Sequence, residues 1–461
     1  MSNDHFFCGI GGSGMLPLAM IVQSRGVTIA GSDRSRDQGR TPAKFAWLEA
    51  HGVALFAQDG SGITSPDQVV IASGAVEDTV PDIAAARRVG ANIKTRPELL
   101  SELFNAAPTS IGVAGTSGKS TITGMIAWIL DQADRDPTVM NGAVMKNFVD
   151  ADHPFASARI GSPALFVSEV DESDGSIARY NPTVAVVSNI SLDHKSMDEL
   201  RQLFGGFTQR AEVAVLNLDN AETAALAALP ELAQALTFSV GNAEATMSAH
   251  NLAPTPTGMT FDLACEGQTL AVQLQVPGSH NVANALAALA AVKAMGVSLE
   301  DGVVALASFS GIRRRLEVTG TRHGITVIDD FAHNPDKIAA TLKTMLAFPG
   351  RLLILFQPQG FGPLRLMQRE FVEVFASLMQ PSDILIMPDP VYQGGTTDRS
   401  VSSGDIIEGL VAAGRHGEYV ADRAAAGDRL VALAQAGDRI LIMGARDDTL
   451  SEFAVQVLSR V

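Results

Sequence analysis

One decapeptide limits what this chain can become more than any other: Gly112-Val-Ala-Gly-Thr-Ser-Gly-Lys-Ser-Thr121. Ser110 to Ala114 reads as a buried strand, and a helix is expected from about Ser120, after a glycine-rich turn. Amides freed by such a turn, with the positive end of the helix, make a cradle for phosphate oxygens. Gly115, Thr116, Ser117, Gly118, Lys119, Ser120 and Thr121 are therefore candidate nucleotide-binding residues. Lys119 would reach the outer phosphates and the Ser120 hydroxyl would ligate Mg²⁺, so the pattern points to ATP. A strict phosphate loop has glycine where Val113 stands, which makes this a variant; an ordinary strand–turn–helix junction is the alternative.

A chain of 461 residues exceeds what one core supports and is expected to form about three domains. Its 46% hydrophobic and 18% charged residues fit a packed globular protein. A net charge of −16 argues against nucleic acid and anionic membrane surfaces as partners, because phosphate neutralisation needs clustered Lys and Arg. Two cysteines, Cys8 and Cys265, build no disulfide framework and fit a reducing cytoplasm. The start Met1-Ser-Asn-Asp-His lacks a basic signal region, and no run of about 18 apolar residues offers a membrane span. A cytoplasmic location is expected.

Residues 1–107 form the first expected domain. His5 to Ile10 reads as a strand, Gly9-Ile-Gly11-Gly12-Ser13-Gly14 as a turn, Met15 to Arg25 as a helix, and Val27 to Ala30 as a strand entering Gly31-Ser32-Asp33. This βαβ unit carries GxGxxG with an acid 19 residues beyond Gly14. Read alone it suggests a dinucleotide, with Asp33 on a ribose hydroxyl. The same turn can hold any diphosphate, and its glycines can also serve close packing alone. Val69 to Ala72 is a further strand, and Ser73-Gly74 after it could face the same cleft.

The central domain is placed at 108–311. Ala164 to Glu169 is a strand ending in Glu169-Val-Asp171-Glu172-Ser-Asp174, and Thr183 to Asn189 is another, ending in Asn189-Ile-Ser-Leu-Asp193-His194. Both clusters follow strand C-terminal ends, where ligands bind in open α/β sheets. Glu169 could supply a carboxylate to Mg²⁺ and His194 a ring nitrogen to a second metal ion; a solvated acidic loop and a structural histidine are the alternatives. Residues 237–276 read as antiparallel hairpins. Pro277-Gly-Ser-His280-Asn281 then opens an alanine-rich helix to about Met295. Asn281 and Asn284 share one face of it and suit an adenine edge, with helix capping the alternative for Asn281.

The C-terminal domain, 312–461, opens on Arg313-Arg314-Arg315, three cations that suit an anion clamp. Ile325 to Ile328, Leu352 to Gln357, Ile384 to Met387 and Ile440 to Met443 read as strands alternating with helices. Polar residues gather at their ends: Asp329-Asp330-Phe-Ala-His333-Asn-Pro335, Gln357-Pro-Gln359 and Arg446-Asp447-Asp448. The fold class is thus α/β: three mostly parallel doubly wound sheets, Rossmann-like at both ends with a phosphate-loop domain between them. Hinges are expected at Ala106 to Pro108 and Ser308 to Gly311.

Taken together, these motifs resemble the Mur ligase family, the ATP-dependent amide-forming enzymes of peptidoglycan synthesis. Gly115-Thr-Ser-Gly-Lys-Ser looks like its GTxGK[ST] loop, which accounts for Val113. The motifs at Glu169–Asp174, Asn189–His194, Gly278–Asn281, Arg313–Arg315 and Asp329–Pro335 follow in the family's order. The glycine turn, Gly31-Ser-Asp33 and the Asp171-Glu-Ser run are most similar to the branch that joins UDP-N-acetylmuramate to L-alanine. The recycling branch, which adds a tripeptide to the same nucleotide sugar, is also similar. The resemblance implies that Gly115, Gly118 and Lys119 cradle ATP, that Ser120 and Glu169 hold one Mg²⁺, and that His194 helps hold a second. It implies that Asn281 and Asn284 contact adenine, and that Arg315 and Asp330 reach ATP. It places Gly11, Gly12, Ser13, Gly14, Asp33 and Ser73 on a UDP-sugar and His333 by the amine. The expected partners are a UDP-N-acetylmuramate-type sugar and an amino acid or peptide; the chain would be a monomer or homodimer. The carboxylate would first become an acyl phosphate, which the amine attacks, and a closing third domain would exclude water.

The alanine-adding branch carries His-Arg-Tyr after Gln-Pro. Here Gln359-Gly360-Phe361 stands there, with Arg365 further on as a candidate substrate contact. Gly444-Ala-Arg446-Asp447-Asp448 is the alternative candidate for binding the acceptor's carboxylate. Other readings are a ligase for a different acid and amine, an NAD-dependent oxidoreductase built on GxGxxG and Asp33, and an inactive binding protein.

Overall fold

The computed structural model describes residues 4–74, 79–192, 195–255, 258–390, 400–445, 447 and 449–461. The chain divides into two compact units, Met1–Ile312 and Arg313–Val461. The first unit holds two sheets and the second holds one.

The first sheet comprises β1 (Asp4–Cys8), β2 (Thr28–Ser32), β3 (Ala54–Phe56), β4 (Val69–Ala72) and β5 (Asn92–Thr95) in the order β3-β2-β1-β4-β5, all parallel. Central β1 buries Phe6, Phe7 and Cys8 in succession, as a strand covered on both faces must. Its end breaks into the glycine turn, and the helix Met15–Gln23 follows. Beside that turn lies a fully buried carboxylate. Asp82 accepts a hydrogen bond from Ser32 Oγ at 2.5 Å and one from the Gly60 amide at 2.9 Å. It thereby fastens the end of β2 to the helix Pro81–Val89. Burial pushes its carboxyl above the ordinary range, against the pull of those two hydrogen bonds.

The second sheet has ten strands. They are β6 (Thr109–Ala114), β7 (Pro137–Met140), β8 (Ala158–Arg159), β9 (Ser162–Glu169), β10 (Val184–Val187), β11 (Val213–Asn217), β12 (Leu236–Val240), β13 (Met247–Thr255), β14 (Gly258–Cys265) and β15 (Gln268–Leu274). Their order is β15-β14-β13-β12-β11-β10-β6-β9-β7-β8. The run from β7 to β13 pairs in parallel, and β8, β14 and β15 pair antiparallel. The hairpin reading of 237–276 therefore holds only from Met247; β12 pairs in parallel on both sides. Alternation along Leu236–Val240 reports one buried face, and that says nothing of a neighbour's direction. The helix Ser279–Ala294 packs on the helix Lys119–Gln132, and its Ala287, Ala288, Ala290 and Ala291 are all essentially inaccessible.

The third sheet, in the second unit, runs β16-β17-β21-β18-β19-β20. Its strands are β16 (Glu317–Arg322), β17 (Ile325–Asp330), β18 (Leu352–Gln357), β19 (Ile384–Met387), β20 (His416–Tyr419) and β21 (Arg439–Gly444), and only β16 pairs antiparallel. The edge strands β16 and β20 are polar and half-exposed, so no apolar run announced them.

Asp82→Ala leaves the Ser32 hydroxyl and the Gly60 amide without their acceptor, and it is expected to cost about 2–4 kcal/mol, read as a lower thermal midpoint. A raised folded-state value means the folded chain holds this proton longer than the unfolded chain. The stabilisation is full below the unfolded value and is lost as pH rises through the folded one. A pH series of melting curves should show that loss in the wild type and a weaker one in Asp82→Asn.

Candidate active site

β6 ends at Ala114, and the loop that follows lies hard against its neighbours. Gly115 and Gly118 adopt φ of +137° and +87°. A Cβ on Gly115 would lie 2.2 Å from Ser188 Oγ, and one on Gly118 would lie 2.7 Å from Asn284 Oδ1. Both positions therefore demand glycine on two counts. The Thr116 amide donates to Asn189 O at 3.0 Å and the Ser117 amide to Asn189 Oδ1 at 3.0 Å, while Asn189 Nδ2 donates back to Ser117 O at 3.0 Å. These two amides brace the loop, which leaves the cradle to the residues from Gly118 onward. The helix Lys119–Gln132 starts there without a side-chain cap, the condition in which a helix end receives an anion. Asn189 was visible in a motif, but its bracing role was not.

Lys119 Nζ donates to Gly115 O at 2.7 Å and to Glu172 Oε2 at 2.9 Å. Ser120 and Glu169, the expected metal ligands, are tied to adjacent residues. Asn141 Nδ2 donates to Ser120 O at 2.9 Å, and the Gly142 amide donates to Glu169 Oε1 at 2.8 Å. A Cβ on Gly142 would stand 3.1 Å from Glu169 Oε2. Among the described residues no three His, Cys, Asp or Glu side chains cluster as a metal cage. One hydroxyl and one carboxylate still fit Mg²⁺, which keeps waters and takes phosphate oxygens as its other ligands. His194, with Asp193, lies outside the described residues.

A cavity of about 260 Å³ joins this loop to the first sheet. Lys119, Asn141, Gly142, Glu169 and Asp171 line it from the second sheet, and Ser13, Gly14 and Arg96 from the first. Arg96 opens the helix Arg96–Asn105, which Thr95 and Glu98 fix with a capping box. A Cβ on Gly14 would come within 3.1 Å of Arg96 Cδ. Sequence reasoning passed over Arg96, since its partner motifs lie far off in the chain. Asp174 Oδ2 stands 3.8 Å from its guanidinium. Burial pushes the Asp171 carboxyl up, but the Ser173 amide and the cations Lys119 and Arg96 outweigh it and hold Asp171 below the usual range.

Asp33 accepts from the Gly11 amide at 2.8 Å and from the Ser35 amide at 2.7 Å, so its carboxylate braces the glycine turn and caps the next helix. Lys44 Nζ donates to Gly11 O at 3.1 Å. Gly12 closes the turn by donating to Gly9 O, and Ser73 is half-buried just past β4. Asn281 Nδ2 donates to Pro277 O at 2.7 Å, and Asn284 Nδ2 to Asn281 Oδ1 at 3.0 Å. Gly278 is the N-cap, so Asn281 is not a capping residue.

The second unit separates the three arginines. Arg314 is buried, with Nε 3.3 Å from Asp329 Oδ1, and it donates from Nη2 to Gly444 O at 2.6 Å and from Nη1 to Asp447 O at 3.0 Å. It serves the fold, which overturns the idea of three arginines forming one anion clamp. Arg315 lies between residues with φ of +59° (Arg314) and +48° (Leu316), a strained backbone, and its guanidinium sits 4.6 Å from the Phe331 ring centroid. Asp330 accepts from the Leu316 amide at 2.9 Å and from Thr341 Oγ1 at 2.6 Å. His333 Nδ1 lies 2.9 Å from Phe331 O, while Asn334 caps the helix Pro335–Leu346. Arg423 Nη1 and Gln357 Nε2 both donate to Asp447 Oδ2, at 2.7 and 3.0 Å. Arg365 is exposed on the helix Phe361–Leu366. Arg446 and Asp448 lie outside the described residues.

Three family profiles match the chain: "Mur ligase family, catalytic domain" over 6–107, "Mur ligase middle domain" over 113–292 and "Mur ligase, glutamate ligase domain" over 314–446. A UDP-N-acetylmuramate–L-alanine ligase of Dinoroseobacter shibae is 34% identical over 472 residues, covering 99% of this chain and 97% of its own. Among solved structures, the UDP-N-acetylmuramate-alanine ligase of Thermotoga maritima superposes with a TM-score of 0.80 at 24% identity, covering 99% of this chain and 98% of that one. A murein peptide ligase of Psychrobacter arcticus gives 0.69 at 23% identity, with 99% of each chain covered. The two superpositions show a shared three-domain α/β fold of mostly parallel sheets.

Gly118→Ala adds a methyl group at positive φ against Asn284. It is expected to weaken Mg·ATP binding at least about tenfold while leaving the thermal midpoint of the second unit in place. Titration calorimetry and a melting curve check the two halves.

Proposed function

Since the chain belongs to the Mur ligase family, we propose that it joins the carboxylate of UDP-N-acetylmuramate to the amine of an amino acid or peptide. It is an ATP-dependent carbon–nitrogen ligase of peptidoglycan metabolism. The observation that carries the substrate reading is the shared cavity, where Lys119 and Glu169 meet Ser13, Gly14 and Arg96. A nucleotide sugar held by its diphosphate on the glycine turn would extend its acid toward the phosphate loop. The oxidoreductase reading leaves that loop without a purpose.

A carboxylate is a poor electrophile, so it must take a phosphoryl group before an amine can displace it. Two anions then have to approach, and fixed cations offset their repulsion. Lys119 and Arg96 both line the cavity and supply that charge. Gly118 to Thr121 orient the phosphates through backbone amides. Mg²⁺, held by Ser120 and Glu169, would add Lewis-acid charge at the phosphates. The family resemblance assigns Asn281 and Asn284 to adenine, Arg315 and Asp330 to the nucleotide, His194 to a metal and His333 to the amine. Within this reading the three domains are 1–107, 108–311 and 312–461. Buried, unpaired cysteines support a cytoplasmic setting, and among the described residues no helix is long and apolar enough to cross a membrane.

Where the alanine branch places His-Arg, this chain has Gln359-Gly360, and nearby Arg423 is neutralised by Asp447. That favours an amine other than free L-alanine. Phosphate release with UDP-N-acetylmuramate held constant and a panel of amino acids and peptides tests it; release with none of them overturns the ligase assignment for this acid.

Lys119→Met should lower ligation about a thousandfold or more and leave UDP-sugar binding nearly unchanged. Arg96→Ala should raise the KM for the UDP-sugar about tenfold at constant KM for ATP. Steady-state kinetics with each substrate varied separates the two effects.

A further inference from the structure

Lys119 carries three ammonium protons, and the protein engages two of them. One goes to Gly115 O at 2.7 Å and one to Glu172 Oε2 at 2.9 Å. Glu172 is itself only 4% exposed, so its charge is compensated by this lysine rather than by water. Its backbone is held as firmly as its side chain. The Gly175 amide donates to Glu172 O at 3.1 Å, the Ile177 amide and Ser176 Oγ reach Asp171 O at 3.1 and 3.2 Å, and the Ser173 amide donates to Asp171 Oδ1 at 2.9 Å. The segment follows directly on β9, the strand that ends at Glu169. A single strand end thus delivers one carboxylate to the expected metal corner and another to the lysine.

From this geometry we propose that Glu172 is a positioning residue for Lys119. The Gly115 carbonyl and the Glu172 carboxylate form two legs of a tripod. They fix the ammonium so that its third proton points at one place, where a transferring phosphoryl oxygen has to be. The inference rests on the ATP reading of the loop and adds a residue to it. It also has a cost in the ground state. A carboxylate about 3 Å from the lysine repels bound phosphates, so the same residue that aims Lys119 weakens nucleotide binding. Alignment in the transition state and affinity in the ground state are therefore set against each other.

Glu172→Gln separates them, because glutamine keeps the shape and an acceptor while removing the charge. Binding of Mg·ADP and of a non-hydrolysable Mg·ATP analogue, measured by calorimetry, should tighten about threefold to tenfold, and kcat should fall about ten- to hundredfold. A residue that merely supported the loop would lose affinity and thermal midpoint together, and that result overturns the proposal, as does an unchanged kcat. Glu172→Asp keeps the charge but withdraws it. It should lower kcat with little gain in affinity, which holds the test open if the glutamine variant is unstable. A wild type that binds neither nucleotide sinks the ATP reading itself; a wild type that binds both while the glutamine variant shows no split sinks only the role of Glu172.

Discussion

The first unit depends on how closely the loop after β6 approaches its surroundings. Ser188 Oγ and Asn284 Oδ1 occupy the space that side chains at Gly115 and Gly118 would need. Asn189 then ties the loop's Thr116 and Ser117 amides to the end of the neighbouring strand β10. A loop pinned in this way has its remaining amides aimed before any ligand arrives, so little ordering entropy is left for binding. The alanine face of the helix Ser279–Ala294 makes the approach possible. Larger side chains there would push Asn284, and the loop with it, away from the sheet.

Charge is the second organising constraint. The cavity wall holds Lys119, Arg96, Glu169, Asp171 and, close by, Glu172 and Asp174. The cations are partnered by carboxylates that sit on short, internally bonded loops. Preorganised charge of this kind acts on a reacting phosphoryl group without having to rearrange. In the second unit the same logic produces structure instead. Arg314 spends its donors on Asp329 and on two carbonyls, and Arg315 is left on a strained turn against Phe331.

Much of this was legible in the linear text. The strands Val213–Asn217, Leu352–Gln357 and Ile384–Met387 announced themselves as apolar runs between turn signals, and the structure places them at those residues. The glycine turn and the phosphate loop were readable because only glycine tolerates such backbones. What could not be read were pairings between distant segments. Arg96 looks like an ordinary residue at a helix start until Gly14 is laid against it. Asp33 has the spacing of a ribose ligand, yet its oxygens accept the Gly11 and Ser35 amides. The hairpin expected from residue 237 begins only at Met247, because alternation encodes burial and not strand direction.

By itself the sequence determined the α/β class, the order of the motifs and the positions where glycine, lysine and carboxylate chemistry occurs. These follow from local steric and periodic rules that act over a few residues. Only the tertiary structure decided which of those groups share a cavity, which amides stay available, and which arginine of three is buried in the fold. Those outcomes depend on contacts between residues tens to more than a hundred positions apart. No local preference can specify such contacts until packing has chosen among them.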